Sequence, residues 1–128
     1  MKRTSCEIGS PYSANQMYVP IARGKMVKNA KYRKWIEENS KILLNGIDKP
    51  TEFPVLIDIL ITANHNWSLK HDPDNCVKPV LDLLVSNGIL PDDTNKYVES
   101  VNIRVLYFPG PPNVRISYEE PAEILFNY

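Results

Sequence analysis

From Val55 to Thr62 almost every residue is apolar: Val55, Ile57, Ile59 and Ile61 alternate with Leu56, Asp58, Leu60 and Thr62. A short run rich in β-branched residues predicts a central strand, covered on much of both faces. Two further alternations lie toward the C-terminus. Val101, Ile103, Val105 and Tyr107 alternate with Asn102, Arg104 and Leu106, and Val114, Ile116 and Tyr118 with Arg115 and Ser117. The turn-forming Phe108-Pro109-Gly110-Pro111-Pro112-Asn113 between them predicts an antiparallel hairpin. Residues 4 to 9 read as a short first strand. Elsewhere the period becomes helical. Tyr32, Trp35, Ile36, Ile42 and Leu43 share one face, which predicts a helix from Asn29 or Ala30 closed by Asn45-Gly46, with Trp35 in the core. Val77, Val80, Leu81 and Leu84 recur at i, i+3, i+4 and i+7, and Asn87-Gly88 is a natural stop. Ser10 to Lys28, broken by Pro11, Pro20 and Gly24, predicts an irregular segment; one this long is usually functional or mobile.

The order β, α, β, α, β, β predicts one small α+β domain over residues 1–128. It has a mixed β-sheet with two main helices packed on one face and a C-terminal antiparallel hairpin. Residues 119–128 read as an acidic and aromatic tail, whose Ile124, Leu125, Phe126 and Tyr128 either meet a partner or cover the core.

Composition narrows the class. A hydrophobic fraction of 43% suits a soluble globular protein, no apolar run approaches a membrane span, and Met1 to Glu7 opens no signal peptide. The expected location is cytoplasmic. Cys6 and Cys76 fit no metal or disulfide framework and read as reduced thiols, and His65 and His71 read as surface histidines. Net charge is zero, but its distribution is uneven. Residues 1 to 41 hold nine Lys or Arg against three acids, and residues 42 to 128 hold six against twelve. Arg23, Lys25, Lys28, Lys31, Arg33 and Lys34 form the densest basic cluster, the pattern that phosphate binding requires.

The acidic half contains the most informative stretch, His71-Asp72-Pro73-Asp74-Asn75-Cys76-Val77-Lys78, followed by the second helix and Gly88-Ile89-Leu90-Pro91-Asp92-Asp93. In extended backbone, which Pro73 favours before it, Asp72 and Asp74 point to one side. If Asp74 caps the helix, Lys78 stands beside it at i+4. Pro79 then falls just past the first turn, so the alternative is a helix beginning nearer Lys78, with Asp74-Asn75-Cys76 as a loop. The chain returns Asp92-Asp93 toward the same place. Three carboxylates gathered together need a cation, and all-oxygen ligands suit magnesium or manganese. Lys78 supplies positive charge for a phosphate.

Asp72, Asp74, Asn75, Lys78, Asp82, Gly88 and Asp92-Asp93 together resemble, in register and without gaps, the motif of the RusA family of Holliday junction resolvases. Upstream, Pro11-Tyr12-Ser13-Ala14-Asn15-Gln16-Met17-Tyr18 resembles the family's N-terminal segment. Where the family can carry an Arg-rich run before the first aspartate, this chain has Trp67-Ser68-Leu69-Lys70-His71. The resemblance implies a homodimeric, magnesium-dependent endodeoxyribonuclease that resolves four-way DNA junctions by paired nicks. Asp72, Asp74 and Asp93 would be metal ligands and catalytic residues, with Asp93 rather than Asp92 in the site, and Lys78 would be catalytic. Asn15, Tyr18, Arg23, Lys25, Lys31, Lys34 and Lys70 are the candidate DNA contacts. Two other readings of the same residues are a noncatalytic branched-DNA binder and a magnesium-dependent nucleotide pyrophosphohydrolase.

Overall fold

The computed structural model describes residues 1–121, apart from the side chain of Leu69. In chain order the elements are β1 (Ser5–Ile8), a 3₁₀ turn (Ala14–Gln16), β2 (Tyr18–Ala22), β3 (Lys25–Lys28), α1 (Ala30–Gly46), β4 (Val55–Ala63), α2 (His65–Lys70), a second 3₁₀ turn (Pro73–Cys76), α3 (Val77–Ser86), β5 (Val98–Tyr107) and β6 (Asn113–Glu119). Four strands form one mixed sheet in the order β1-β6-β4-β5, and β2 and β3 form a separate two-stranded ribbon. β4 is parallel to β5, with Ile59 opposite Ile103, and antiparallel to β6, with Ile59 opposite Ile116.

The expected α+β architecture with a mixed sheet and two main helices holds. β5 and β6 run antiparallel to one another, but they flank β4 instead of pairing directly. β4 satisfies its backbone groups on both sides and is the apolar member of the three. Burial in the sheet is one-sided. Val55, Ile57, Ile59, Ile61 and Ala63 are at most 1% exposed, whereas Leu56, Asp58, Leu60 and Thr62 alternate with them at intermediate exposure. The expectation of cover on both faces is therefore corrected: Leu56 and Leu60 make the run look continuous, yet they stand on the open face beside Asp58 and Thr62.

The buried face packs on the helices. In α1 the buried side chains are Tyr32, Trp35, Asn39 and Leu43; Ile42, expected on this face, is exposed. Asn39 is tolerated there because its amide donates to Trp35 O at 2.8 Å and accepts from Gly9 N–H at 2.8 Å. Trp35 lies in the core as expected. Its indole N–H reaches Ser10 O at 2.7 Å, and its ring groups with Tyr12 and Tyr32 at centroid separations of 5.8 and 6.2 Å. The segment before α1 is thereby fastened to it. Asn29 caps α1 through Lys31 N–H, and Gly88 takes φ of +70° just after α3, each close to where the sequence pattern sets a boundary.

Two elements depart from expectation. Ser10 to Lys28 is not irregular throughout, since it contains the β2–β3 ribbon. Every residue of that ribbon is exposed, so no alternation was imposed on its sequence, and Pro20 and Gly24 look like breakers. No helical pattern marks the residues around His65, yet they form the six-residue α2, capped by Asn64 through Trp67 N–H. The tail also begins later than expected. Glu119 pairs with Leu56 in the sheet, and Glu120 is buried, accepting from Thr51 N, Thr51 Oγ1 and Glu52 N and forming an ion pair with Lys2. Ile124, Leu125, Phe126 and Tyr128 lie outside the described residues. Among the described residues no helix is long and apolar enough to cross a membrane.

One-sided burial has a measurable consequence. Ile59→Ala should destabilise the fold by about 2–5 kcal/mol, and Leu60→Ala by about 1 kcal/mol or less, in urea unfolding. Equal losses at both positions would contradict an open face.

Candidate active site

The stretch that follows β4 begins with α2, whose last residue leads into an extended Asp72 at φ −98° and ψ 119°. Pro73 favours that geometry in the residue before it and starts the 3₁₀ turn with a fixed φ and no N–H to satisfy. Asp72 caps the turn, its Oδ1 accepting from Asp74 N–H at 3.1 Å while its carbonyl accepts from Asn75 N–H at 3.1 Å. Asp72 and Asp74 are thus not alternate residues of an extended strand. The turn redirects Asp74, and both carboxylates are exposed, with no ion pair to either among the described residues.

α3 starts at Val77, the later of the two expected boundaries, which puts Pro79 in the first turn where a missing N–H is harmless. Lys78 consequently turns away from Asp74. Its ammonium lies 2.9 Å from Asp82 Oδ1 and 3.2 Å from Asp93 Oδ2. Asp93 arrives because Ile89 and Leu90, both buried, donate their N–H groups to Leu84 O and fold the loop back on α3. Asp82 also accepts from the phenol of the buried Tyr32 at 3.3 Å. A polar chain, Tyr32 to Asp82 to Lys78 to Asp93, joins α1, α3 and the loop after α3. Its sequence signal was the i, i+4 spacing of Lys78 and Asp82; Tyr32 had none beyond its helical face.

The charges respond accordingly. Hydrogen bonding to Asp82, and then to Asp93, raises Lys78 above the ordinary lysine value. The same bond from Lys78 holds Asp93 below the usual carboxylate value. Burial, reinforced by Asp82, pushes the Tyr32 phenol far above its ordinary range. Burial, reinforced by Asp72, pushes the Cys76 thiol up to about 11. Cys6 and Cys76 are both free, as expected.

A cleft of about 290 Å³ opens beside the turn, with Ser13, Asn15 and Gln16 on one wall and Lys70, His71 and Asp72 on the other. Asn15 and Lys70 therefore border the acidic turn, while Ser13 and Gln16 enter through proximity that no sequence spacing reveals. His71, just after α2, is stacked on Trp67 at 4.7 Å, with its Nδ1 2.9 Å from Trp67 O. Tyr18, Arg23, Lys25, Lys31 and Lys34 are all exposed, and Lys34 lies 3.9 Å from Glu38. A larger hollow of about 480 Å³ occupies the open sheet face; of the two acids that line it, Asp58 and Glu119, Asp58 is bonded to Asn102 at 2.9 Å and Arg104 at 3.3 Å.

Among the described residues no three His, Cys, Asp or Glu side chains are gathered as a metal would require. By donor chemistry Asp72 and Asp74 suit a hard divalent cation and form no ion pair among the described residues; the third expected ligand, Asp93, is held by Lys78. No protein-family model matches the chain, and no curated protein matches it significantly.

At pH 8 only about one Cys76 in a thousand should be thiolate. Alkylation by iodoacetamide, followed on the peptide containing Cys76, should be slow and rise about tenfold per pH unit toward pH 10. Asp72→Asn should move that profile to lower pH by removing a repelling charge. A profile centred near an ordinary thiol would detach Asp72 from Cys76.

Proposed function

We propose that the protein is a metal-dependent endodeoxyribonuclease acting on four-way DNA junctions, as the resemblance to the RusA resolvases implies. The observation that carries this reading is a pair of exposed carboxylates, Asp72 and Asp74, with no ion pair among the described residues, on a turn next to the start of an acid-free basic region. Residues 8–36 contain six Lys or Arg and no Asp or Glu, and the wall of the acidic cleft, Ser13 to Gln16, belongs to that region. A polyanion held by the cations brings its phosphates to the carboxylates.

Asp72 and Asp74 would hold magnesium or manganese, and Asp93 would join them on leaving Lys78. Such an ion, when bound, supplies charge neutralisation and a deprotonated water for phosphodiester hydrolysis. Lys78, beside Asp93, would place its ammonium near the phosphate and stabilise the charge that develops there. Asn15 and Lys70 hold the strand along the cleft. Two such sites, one in each subunit of a homodimer, account for paired nicks, and the expected compartment is the cytoplasm. A nucleotide pyrophosphohydrolase uses a denser acidic set than these residues provide; a noncatalytic junction binder differs only in the outcome with metal.

Asp72→Asn and Asp74→Asn should each lower magnesium-dependent nicking of a synthetic four-way junction by about two to three orders of magnitude. Without metal, both variants should bind the junction at least as tightly as the parent, because a carboxylate near a phosphate repels it. Lys78→Ala should reduce nicking and, modestly, binding. Cutting at the parental rate by Asp74→Asn would end the nuclease reading, and junction binding with no nicking by the parent would favour the binder. Sedimentation of a monomer that still makes paired nicks would remove the dimer.

A further inference from the structure

The β2–β3 ribbon has no part in the core. All nine of its strand residues are exposed, including Tyr18 at 46%, Ile21 at 61% and Met26 at 57%. A hairpin of two strands without a third partner is marginal in water, and a row of exposed apolar side chains on it is a liability unless something covers them. The ribbon is nevertheless built with care. Tyr18 is opposite Lys28, Val19 opposite Val27 and Pro20 opposite Met26, a bulge follows Pro20, and Gly24 closes the turn at φ +67°. Its base is pinned by Asn29 N–H to Met17 O at 2.8 Å, with Met17 buried. Five strand residues at about 3.3 Å each give it a reach of roughly 16 Å from that base.

Charge selects the occupant. Arg23, Lys25 and Lys28 have no acidic partner among the described residues, and Lys31 and Arg33 continue the basic surface onto α1. A second copy would bring the same cations against themselves, whereas a nucleic acid neutralises them. Position selects the kind of nucleic acid. Gln16, in the wall of the acidic cleft, is two residues from Tyr18 at the start of the ribbon, so the ribbon is rooted beside the carboxylates. Apolar side chains such as Ile, Met and Pro carried on a basic scaffold are what proteins insert between base steps. The energy of unstacking is lowest where stacking is already interrupted.

We propose that the β2–β3 ribbon is a wedge that enters the branch point of a DNA junction, with Ile21 and Met26 against unstacked bases and Arg23, Lys25 and Lys28 on the flanking phosphates. The inference rests on the junction reading above and adds to it the means by which a branch is told from a plain duplex.

The test uses the full chain without metal, so cleavage plays no part. A four-way junction carrying 2-aminopurine at the branch point should brighten severalfold on binding, and a matched duplex should not. Ile21→Ser with Met26→Ser should abolish that brightening and weaken junction affinity about tenfold, leaving duplex affinity within about twofold. Because both side chains are exposed, the variant folds, as circular dichroism will confirm. Arg23→Ala with Lys25→Ala should instead weaken junction and duplex alike and reduce the salt slope by about two. Unchanged brightening and affinity in the serine variant would overturn the wedge while leaving the nuclease reading intact. Loss of a dimer in that variant would assign the ribbon to a second copy and likewise overturn it. Failure of the parent to bind the junction would remove both.

Discussion

β4 is hydrogen-bonded on both edges, to β5 in parallel and to β6 in antiparallel register, so a shift of one residue would carry Val55, Ile57, Ile59, Ile61 and Ala63 from the helical face to the open one. That constraint fixes where every other element can lie. α1 and α3 must cover the odd-numbered side. The chain leaving Ala63 must pass along the end of the sheet, and it there forms α2 and the acidic turn. Phe108 N–H, bonded to Ala63 O at 2.8 Å, holds the end of β5 to the same edge. The carboxylates thus stand on a short, locally capped turn anchored to the most buried strand of the molecule.

Lys78 ties this frame to the candidate site. One ammonium answers two carboxylates, Asp82 on its own helix and Asp93 on the returning loop, while Asp72 and Asp74 have no ion pair among the described residues. The pairs are partly exposed and individually weak, so they orient more than they stabilise. Such an arrangement can exchange partners readily. Under the proposed reading, Asp93 would be shared between Lys78 and a divalent ion, and an ammonium freed from Asp93 would be available to a phosphate. The phenol of Tyr32 keeps Asp82 in place throughout, because burial holds it protonated and donating.

Most of the frame could be read from periodicity. The ends of α1 follow from Asn29 and Gly46, and β4 from its isoleucines, while Pro79 left two starts of α3 open, of which the later is the one formed. Where burial imposes no pattern, the reading failed. The β2–β3 ribbon carries apolar residues that face water on both sides, so neither a period of two nor one of 3.6 appears, and Leu56 and Leu60 disguise a half-covered strand as a fully covered one. The candidate site was legible as a set of residues but not as a geometry. Asp72, Asp74, Lys78 and Asp93 announce themselves by type and spacing, yet a 3₁₀ turn of four residues and the reach of one lysine decide which of them meet.

The strand order has a consequence for synthesis. β6, the last strand, is inserted between β4 and β1, and Ser5 pairs with Ser117 across nearly the whole described chain. Until β6 has been made, β1 has no neighbour in the sheet and β4 is paired on one edge only. A nascent chain emerging from the N-terminal end therefore has its ribbon and its acidic turn long before the strand that locks their support. Assembly of the sheet waits for β6, so truncation within β6 should leave an unpaired Ile57-Ile59-Ile61 edge open to self-association.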